Sequence, residues 1–79
     1  MITSGQIKAA RALIGMTATR LAELSRVAYT TVVRMESSDG IPSGQVKTLD
    51  AVQKVLEEAG VEFIGTPESG AGVRWKPKP

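Results

Sequence analysis

The sequence predicts a mainly α-helical fold, with four helices followed by a C-terminal β-hairpin. Apolar side chains recur at helical spacing through residues 1–60, and capping residues precede several of these stretches. After Gly60 the pattern changes to two short β-prone runs, "VEFIG" and "GVRWK", separated by the Pro- and Gly-containing turn "TPESGA". We therefore expect a helical domain over residues 1–60, a hairpin over residues 61–76 and a disordered tail over residues 77–79.

The composition limits the kind of protein this can be. Its 79 residues suffice for one domain, and an apolar fraction of 42% is ordinary for a globular chain. Cysteine and histidine are both absent, which excludes disulfides, Cys/His zinc sites and Ser-His or Cys-His catalytic pairs. We therefore expect a protein that is not an enzyme and needs no metal or cofactor. Because so small a domain buries only a modest core, a homodimer is the favoured source of added stability.

The sequence also bears on location and on charged partners. The apolar runs are too short to span a membrane and no charged-then-apolar leader is visible, so we expect a cytoplasmic, nucleoid-associated protein. Residues 1–35 carry five basic side chains against Glu23 alone, whereas residues 36–68 carry seven acids against two lysines. A basic first half suggests a surface facing a polyanion, although a mixed solvated surface would explain the same charges equally well.

Two short amphipathic helices open the chain. Thr3, followed three residues later by Gln6, is a capping box for helix 1, and Gly15 marks its end. Thr17 is the expected cap of helix 2, "ATRLAELS", and Val27 is apolar at the junction that follows. The side chains expected to face the core are Ile7, Ala10, Leu13, Ile14, Leu21, Ala22 and Leu24.

Helix 3, roughly residues 28–37, is the most informative element. Val32 and Met35 form its buried side. The opposite side groups an aromatic hydroxyl, two polar or branched side chains and an arginine, at Tyr29, Thr30, Val33 and Arg34. A merely solvated helix face usually carries Glu and Lys, which form helices better than these residues do. The composition of this face indicates contact with another molecule.

A turn, "SSDGIPSGQ", leads to helix 4, roughly residues 46–59. Its buried side carries Leu49, Val52, Val55 and Leu56, and Gly60 follows its end. Either Thr48 or Ser43 is the expected cap.

Helices 2 and 3, with a tight turn between them, form a helix-turn-helix pattern. The break lets the first helix lie across the DNA backbone while the second enters the major groove. The stretch "MTATRLAELSRVAYTTVVRMES" resembles the lambda-repressor/Cro-like helix-turn-helix family of the xenobiotic-response-element type. The likeness is good over residues 7–36 and looser across helix 4, and it implies a four-helix, lambda-repressor-like DNA-binding domain.

The resemblance implies DNA-binding roles for a defined set of positions. Tyr29, Thr30 and Arg34 match base-reading positions, with Val33 beside them, and Thr31 matches a position that grips a phosphate. Two further residues present backbone N–H groups to a phosphate at the start of helix 2, and three lie in or beside a loop that approaches phosphates. The complete set is Thr17, Ala18, Tyr29, Thr30, Thr31, Val33, Arg34, Ser38, Ser43 and Lys47.

Some positions carry structural roles or depart from the family pattern. Arg11 and Glu36 match positions that pair with each other in several members, so we interpret Arg11 as mainly structural. Ala18 replaces a frequent glutamine, which removes one phosphate contact. Arg26 occupies a turn position that usually takes glycine because it needs positive φ, at a cost of about 1 kcal/mol. Ala28 replaces the usual Ser/Thr cap of helix 3.

The hairpin lies outside the shared core of the family. It is similar to C-terminal strands that some repressors and antitoxins of this family use for dimerisation. An isolated hairpin is marginal in water and a lone edge strand tends to find a partner, so we expect it to contribute to a dimer interface. The alternative is a local lid on helix 4. The expected interface residues are Val61, Phe63, Ile64, Val73 and Trp75.

Together these features predict a sequence-specific transcriptional regulator, a repressor, that binds an inverted-repeat operator in double-stranded DNA as a homodimer. The alternative is an antitoxin of a toxin–antitoxin pair, which binds both operator DNA and a toxin protein. A third interpretation, a helix-turn-helix used only for protein contacts, predicts no salt-dependent DNA binding.

Overall fold

Four helices precede a two-stranded antiparallel sheet in the computed structural model, which describes residues 1–42 and 44–76. The helices are α1 (Ser4–Ile14), α2 (Ala18–Ser25), α3 (Tyr29–Ser37) and α4 (Val46–Glu58), and the strands are β1 (Val61–Thr66) and β2 (Ser69–Trp75). The predicted layout of four helices and a hairpin is confirmed. The tail predicted over residues 77–79 lies outside the described residues.

The ends of α1 form as the sequence predicts. The Gln6 N–H donates to the Thr3 hydroxyl at 3.1 Å, and the Thr3 N–H donates to the Gln6 side-chain oxygen at 2.8 Å, which completes the capping box. Gly15 ends the helix at φ 68° and ψ 29°, a left-handed conformation that glycine adopts without a steric cost. Local chemistry is enough to define this helix.

The connection between α2 and α3 is also as expected. The Thr17 hydroxyl accepts from the Arg20 N–H at 3.0 Å and so caps α2. Arg26 takes φ 58°, and it is the one non-glycine residue with positive φ in the part of the chain that the structure describes. Ala28 precedes α3 and offers no side-chain cap.

The core lies where α1, α2, α3, α4 and β1 meet. It comprises Ile2, Ile7, Ala10, Leu21, Ala22, Val32, Met35, Leu49, Val52, Leu56 and Val61. The prediction that Leu24 faces the core is wrong, because 44% of it is exposed. The buried direction of α2 runs between Leu21 and Ala22, and at 3.6 residues per turn Leu24 lies about 110° away from it.

The start of α4 differs from the prediction. Its N-cap is Gln45, which makes no side-chain capping bond, and Thr48 lies inside the helix. Ser43, the other expected cap, lies outside the described residues. Residues two positions further along the chain than Ser43 begin the helix, so neither expected cap occupies the capping position.

The hairpin is fastened to the helices by one buried side chain. Gln6 Nε2 donates to the backbone oxygen of Ile64 at 3.2 Å and to that of Gly72 at 2.9 Å. Val61 pairs with Trp75 and Phe63 with Val73, and Phe63 and Val73 pack against the core. Gln6 thus caps α1 with its oxygen and holds both strands with its nitrogen.

Candidate nucleic-acid interface

The outward face of α3 carries the side chains that the sequence assigns to DNA contact. Thr30 and Arg34 are exposed, as are Tyr29 and Val33, at 52% and 40%. Val32 and Met35, together with Glu36, lie on the buried side of the same helix. The helix therefore presents a mixed aromatic, hydroxyl, aliphatic and cationic surface to solvent.

A bidentate ion pair fixes α3 against α1. Arg11 donates from Nε to Glu36 Oε2 at 2.6 Å and from Nη2 to Oε1 at 2.7 Å, while its Nη1 donates to the Met16 carbonyl at 2.9 Å. The hydrogen bonds to Glu36 raise the pKa of the Arg11 guanidinium, which therefore stays charged. The structural pairing of these two residues is confirmed, and it anchors the C-terminal half of α3.

This ion pair also determines the charge of the outward face. Glu36 is the one acidic residue in α3, and it is buried and bound to Arg11. Arg34 takes part in none of the ion pairs formed by residues 1–42 and 44–76. The outward face consequently carries a positive charge that no acid of its own helix neutralises, which suits an anionic partner.

The remaining DNA-binding candidates lie around this face with different degrees of exposure. Thr17 is exposed but its hydroxyl is used in capping α2, whereas Ala18 is half-buried against the core. Ser38 is half-buried and donates to the Arg34 carbonyl at 3.2 Å, and Lys47 is exposed in the first turn of α4. Ser43 lies outside the described residues.

Thr31 and Arg34 are brought together in a cleft between α3 and the start of α4. The cleft has a volume of about 310 Å³ and is lined also by Met35 and Val46. Val46 is 56% exposed, as a residue at the edge of a contact surface would be. Sequence reasoning missed Val46 because it assigned the residue only to the start of a helix. An apolar residue directly before Lys47 was the available signal.

The residues assigned to a dimer interface fall into three environments. Val61 is fully buried in the core of its own protomer, so its side chain has no surface to offer a second copy. Phe63 and Val73 are half-buried against the core. Ile64 and Trp75 are 37% and 54% exposed, which leaves these two as the apolar side chains of the set with the most free surface.

Other kinds of site were sought in the same residues. No group of three or more His, Cys, Asp or Glu side chains is close enough to hold a metal ion within residues 1–42 and 44–76. No helix in this part of the chain has the length and apolar character needed to cross a membrane. No protein-family model matches the chain, and no curated protein matches it either.

Proposed function

We propose that the chain is a sequence-specific DNA-binding transcriptional regulator whose α2 and α3 form a helix-turn-helix of the lambda-repressor/Cro-like type. The observation that carries this proposal is the outward face of α3, where an arginine without an acidic partner stands among hydroxyl, aromatic and aliphatic side chains. Hydrogen-bond donors and methyl groups are what the major groove discriminates. A solvated helix face would carry better helix formers.

The roles of the side chains follow from their chemistry. Arg34 donates two hydrogen bonds to guanine O6 and N7, the commonest specific contact. Thr30 and Tyr29 supply hydroxyls for base or phosphate contact, and Val33 packs against a thymine methyl group. Each good base contact is worth about 1–3 kcal/mol of discrimination.

Phosphate contacts hold the helix in the groove. The first turn of α2, the hydroxyl of Thr31 and the exposed Lys47 surround α3 on elements that pack together. These contacts carry no sequence information but make the affinity fall as salt rises.

Regulation follows from a two-fold dimer. Such a dimer presents two copies of α3 to the major groove about 34 Å apart, so it selects an inverted repeat. Occupancy of that repeat excludes RNA polymerase, which makes repression the expected outcome.

Selection from a random-duplex pool tests this proposal, with wild type and Arg34→Ala run in parallel at moderate salt. We expect wild type to enrich an inverted repeat and Arg34→Ala to lose discrimination at one symmetric position, by about 10-fold to 100-fold. Arg20→Ala is the matched control, because Arg20 is exposed on α2 and pairs only weakly with Glu23 at 3.4 Å. It should retain the operator.

Failure of the wild type to enrich any sequence, with no binding even at low salt, would contradict the proposal. The outward face of α3 would then belong to a protein contact. Equal loss of discrimination in Arg34→Ala and Arg20→Ala would remove the assignment of Arg34 as a base reader.

A further inference from the structure

The ladder of the hairpin determines which backbone groups remain at its free edges. The Lys76 N–H donates to the Gly60 carbonyl at 2.7 Å, one residue beyond the Val61–Trp75 pair, so Gly60 and Lys76 form a hydrogen-bonded pair. In an antiparallel ladder such pairs alternate with pairs whose N–H and C=O groups point away from the partner strand. The outward-pointing groups on the paired segment are those of Val61, Phe63, Val73 and Trp75.

The contacts of Gln6 indicate the same alternation independently. Its single Nε2 donates both to the Ile64 oxygen and to the Gly72 oxygen, and these two residues are partners in the ladder. One nitrogen reaches both oxygens only if they point towards each other inside the ladder. In the other arrangement they would point to opposite edges of the sheet. Ile64 and Gly72 are therefore a hydrogen-bonded pair, and the residues on either side of them face the edges.

The edge of β2 is the more open of the two. β1 packs against α4 while both strands pack against α1, so β2 forms the side of the sheet away from α4. Trp75 and Ala71 are exposed, and Val73 is half-buried. Apart from the ladder, no hydrogen bond among residues 1–42 and 44–76 engages the N–H or C=O groups of these three residues. An unpaired row of this kind is a template for another strand.

We propose that the free edge of β2 pairs antiparallel with β2 of a second copy, about a two-fold axis at Val73. In this register Val73 lies opposite Val73 of the second copy, and all three outward-facing residues of β2 are used. About six backbone hydrogen bonds join the two copies. The two hairpins become one four-stranded sheet, which is stable where a single hairpin is marginal.

The side chains of β2 are self-complementary in this register. Trp75 lies opposite Ala71 of the second copy, and Arg74 lies opposite Gly72, so each large side chain meets a small one. The exposed indole of Trp75 is thereby covered, and Arg74 keeps its ion pair with Glu62 on the outer face of its own hairpin. No like charges face each other directly.

The symmetry of this pairing fits the proposed function. An antiparallel pairing in the plane of a sheet has its two-fold axis perpendicular to that sheet. The helices of both copies consequently lie on the same side of the four-stranded sheet. The inference rests on the proposed function only for the use of this dimer on an inverted repeat, since the pairing itself requires no DNA.

Two single-cysteine variants test the edge in the absence of DNA. The chain has no native cysteine. Val73 and Phe63 are ladder partners with similar half-burial, so Val73→Cys and Phe63→Cys are matched probes of the β2 and β1 edges. Opposed residues of a hydrogen-bonded pair have Cα atoms about 5.5 Å apart, within the range of a disulfide. In a thiol–disulfide redox buffer, we expect Val73→Cys to form a disulfide-linked dimer and Phe63→Cys to remain a monomer.

A dimer of Phe63→Cys, or no dimer of either folded variant, would overturn the proposal. A second pair of variants keeps the test decisive if Val73→Cys fails to fold. Ala71→Pro removes an outward N–H, whereas Ala71→Ser retains it with a side chain of similar size. Sedimentation equilibrium should show self-association weakened about tenfold or more by Ala71→Pro and unchanged by Ala71→Ser. Equal association of the two variants would also overturn the proposal.

The two proposals fail separately. If β2 pairing is observed but no operator is selected, the proposed function is wrong and this dimer stands. If an operator is selected and β2 does not pair, the dimer forms elsewhere.

Discussion

Arg26 illustrates how a turn can impose a conformation on an unsuitable residue. Its N–H donates to the Glu23 carbonyl at 3.4 Å, and the Val27 N–H donates to the Ala22 carbonyl at 3.1 Å. These two bonds are the Schellman pattern, which requires a left-handed residue after the last turn of the helix. Arg26 supplies it at φ 58° and ψ 36°, where its Cβ crowds the following carbonyl oxygen. The strain is stored at the junction that orients α3.

Replacing this residue should therefore stabilise the protein. We expect Arg26→Gly to raise the free energy of unfolding by about 1 kcal/mol, because glycine adopts positive φ without the steric cost. Arg20→Gly is the control: it places glycine inside α2 and should lower the same quantity by about 1 kcal/mol. Urea unfolding followed by circular dichroism measures both. A destabilised Arg26→Gly would mean that the Arg26 side chain makes a contact that outweighs the strain.

Among the secondary-structure elements, the hairpin depends on a glycine at its bulge. Gly65 has φ 75°, and a Cβ added there would lie 2.3 Å from the Gly70 carbonyl oxygen. Gly70 has a similar φ of 66° but nothing within 4 Å of an added Cβ. The two positions therefore separate steric exclusion from conformational strain.

We expect Gly65→Ala to lower the free energy of unfolding by about 3 kcal/mol and Gly70→Ala by about 1 kcal/mol. The first variant suffers strain and a backbone clash, whereas the second suffers strain alone. Thermal and urea unfolding of both variants would measure the difference. Equal effects would show that the strands separate easily at Gly65, in conflict with the tight bulge.

The elements whose formation depends on neighbours in sequence were predictable. The capping box of Thr3 and Gln6, the Gly15 stop and the left-handed Arg26 all follow from hydrogen bonds within a few residues, and each is confirmed. The failures involve tertiary contacts. Leu24 was assigned to the core on helical spacing, but the direction of burial depends on where the neighbouring helices pack.

The hairpin and the outward face of α3 show the same division. The two strands were predictable from composition, whereas the bonds from Gln6 to Ile64 and Gly72 join distant parts of the chain and leave no local signal. The exposed side chains of α3 were predictable from periodicity. The isolation of Arg34 from acids depends on the burial of Glu36 against Arg11, which only the resemblance indicated.

At the scale of the whole molecule, the two proposed surfaces lie on different elements. α3 packs against α1 and α2, whereas the hairpin packs against α1 and α4. DNA on the outward face of α3 and a second copy on the edge of β2 therefore use separate parts of the protein. Dimerisation in this arrangement leaves both copies of α3 open, which binding to an inverted repeat requires.

The central claim is that the outward face of α3 binds duplex DNA, and amide chemical-shift mapping tests it most directly. ¹⁵N-labelled protein would be titrated with a duplex of about two helical turns, at low salt and then at increasing salt. We expect the largest shift changes at the amides of Tyr29, Thr30, Val33 and Arg34, fading as salt rises, with Glu62 and Arg74 on the outer face of the hairpin unaffected. Unchanged α3 amides at low salt, or shifts confined to the hairpin, would contradict the account.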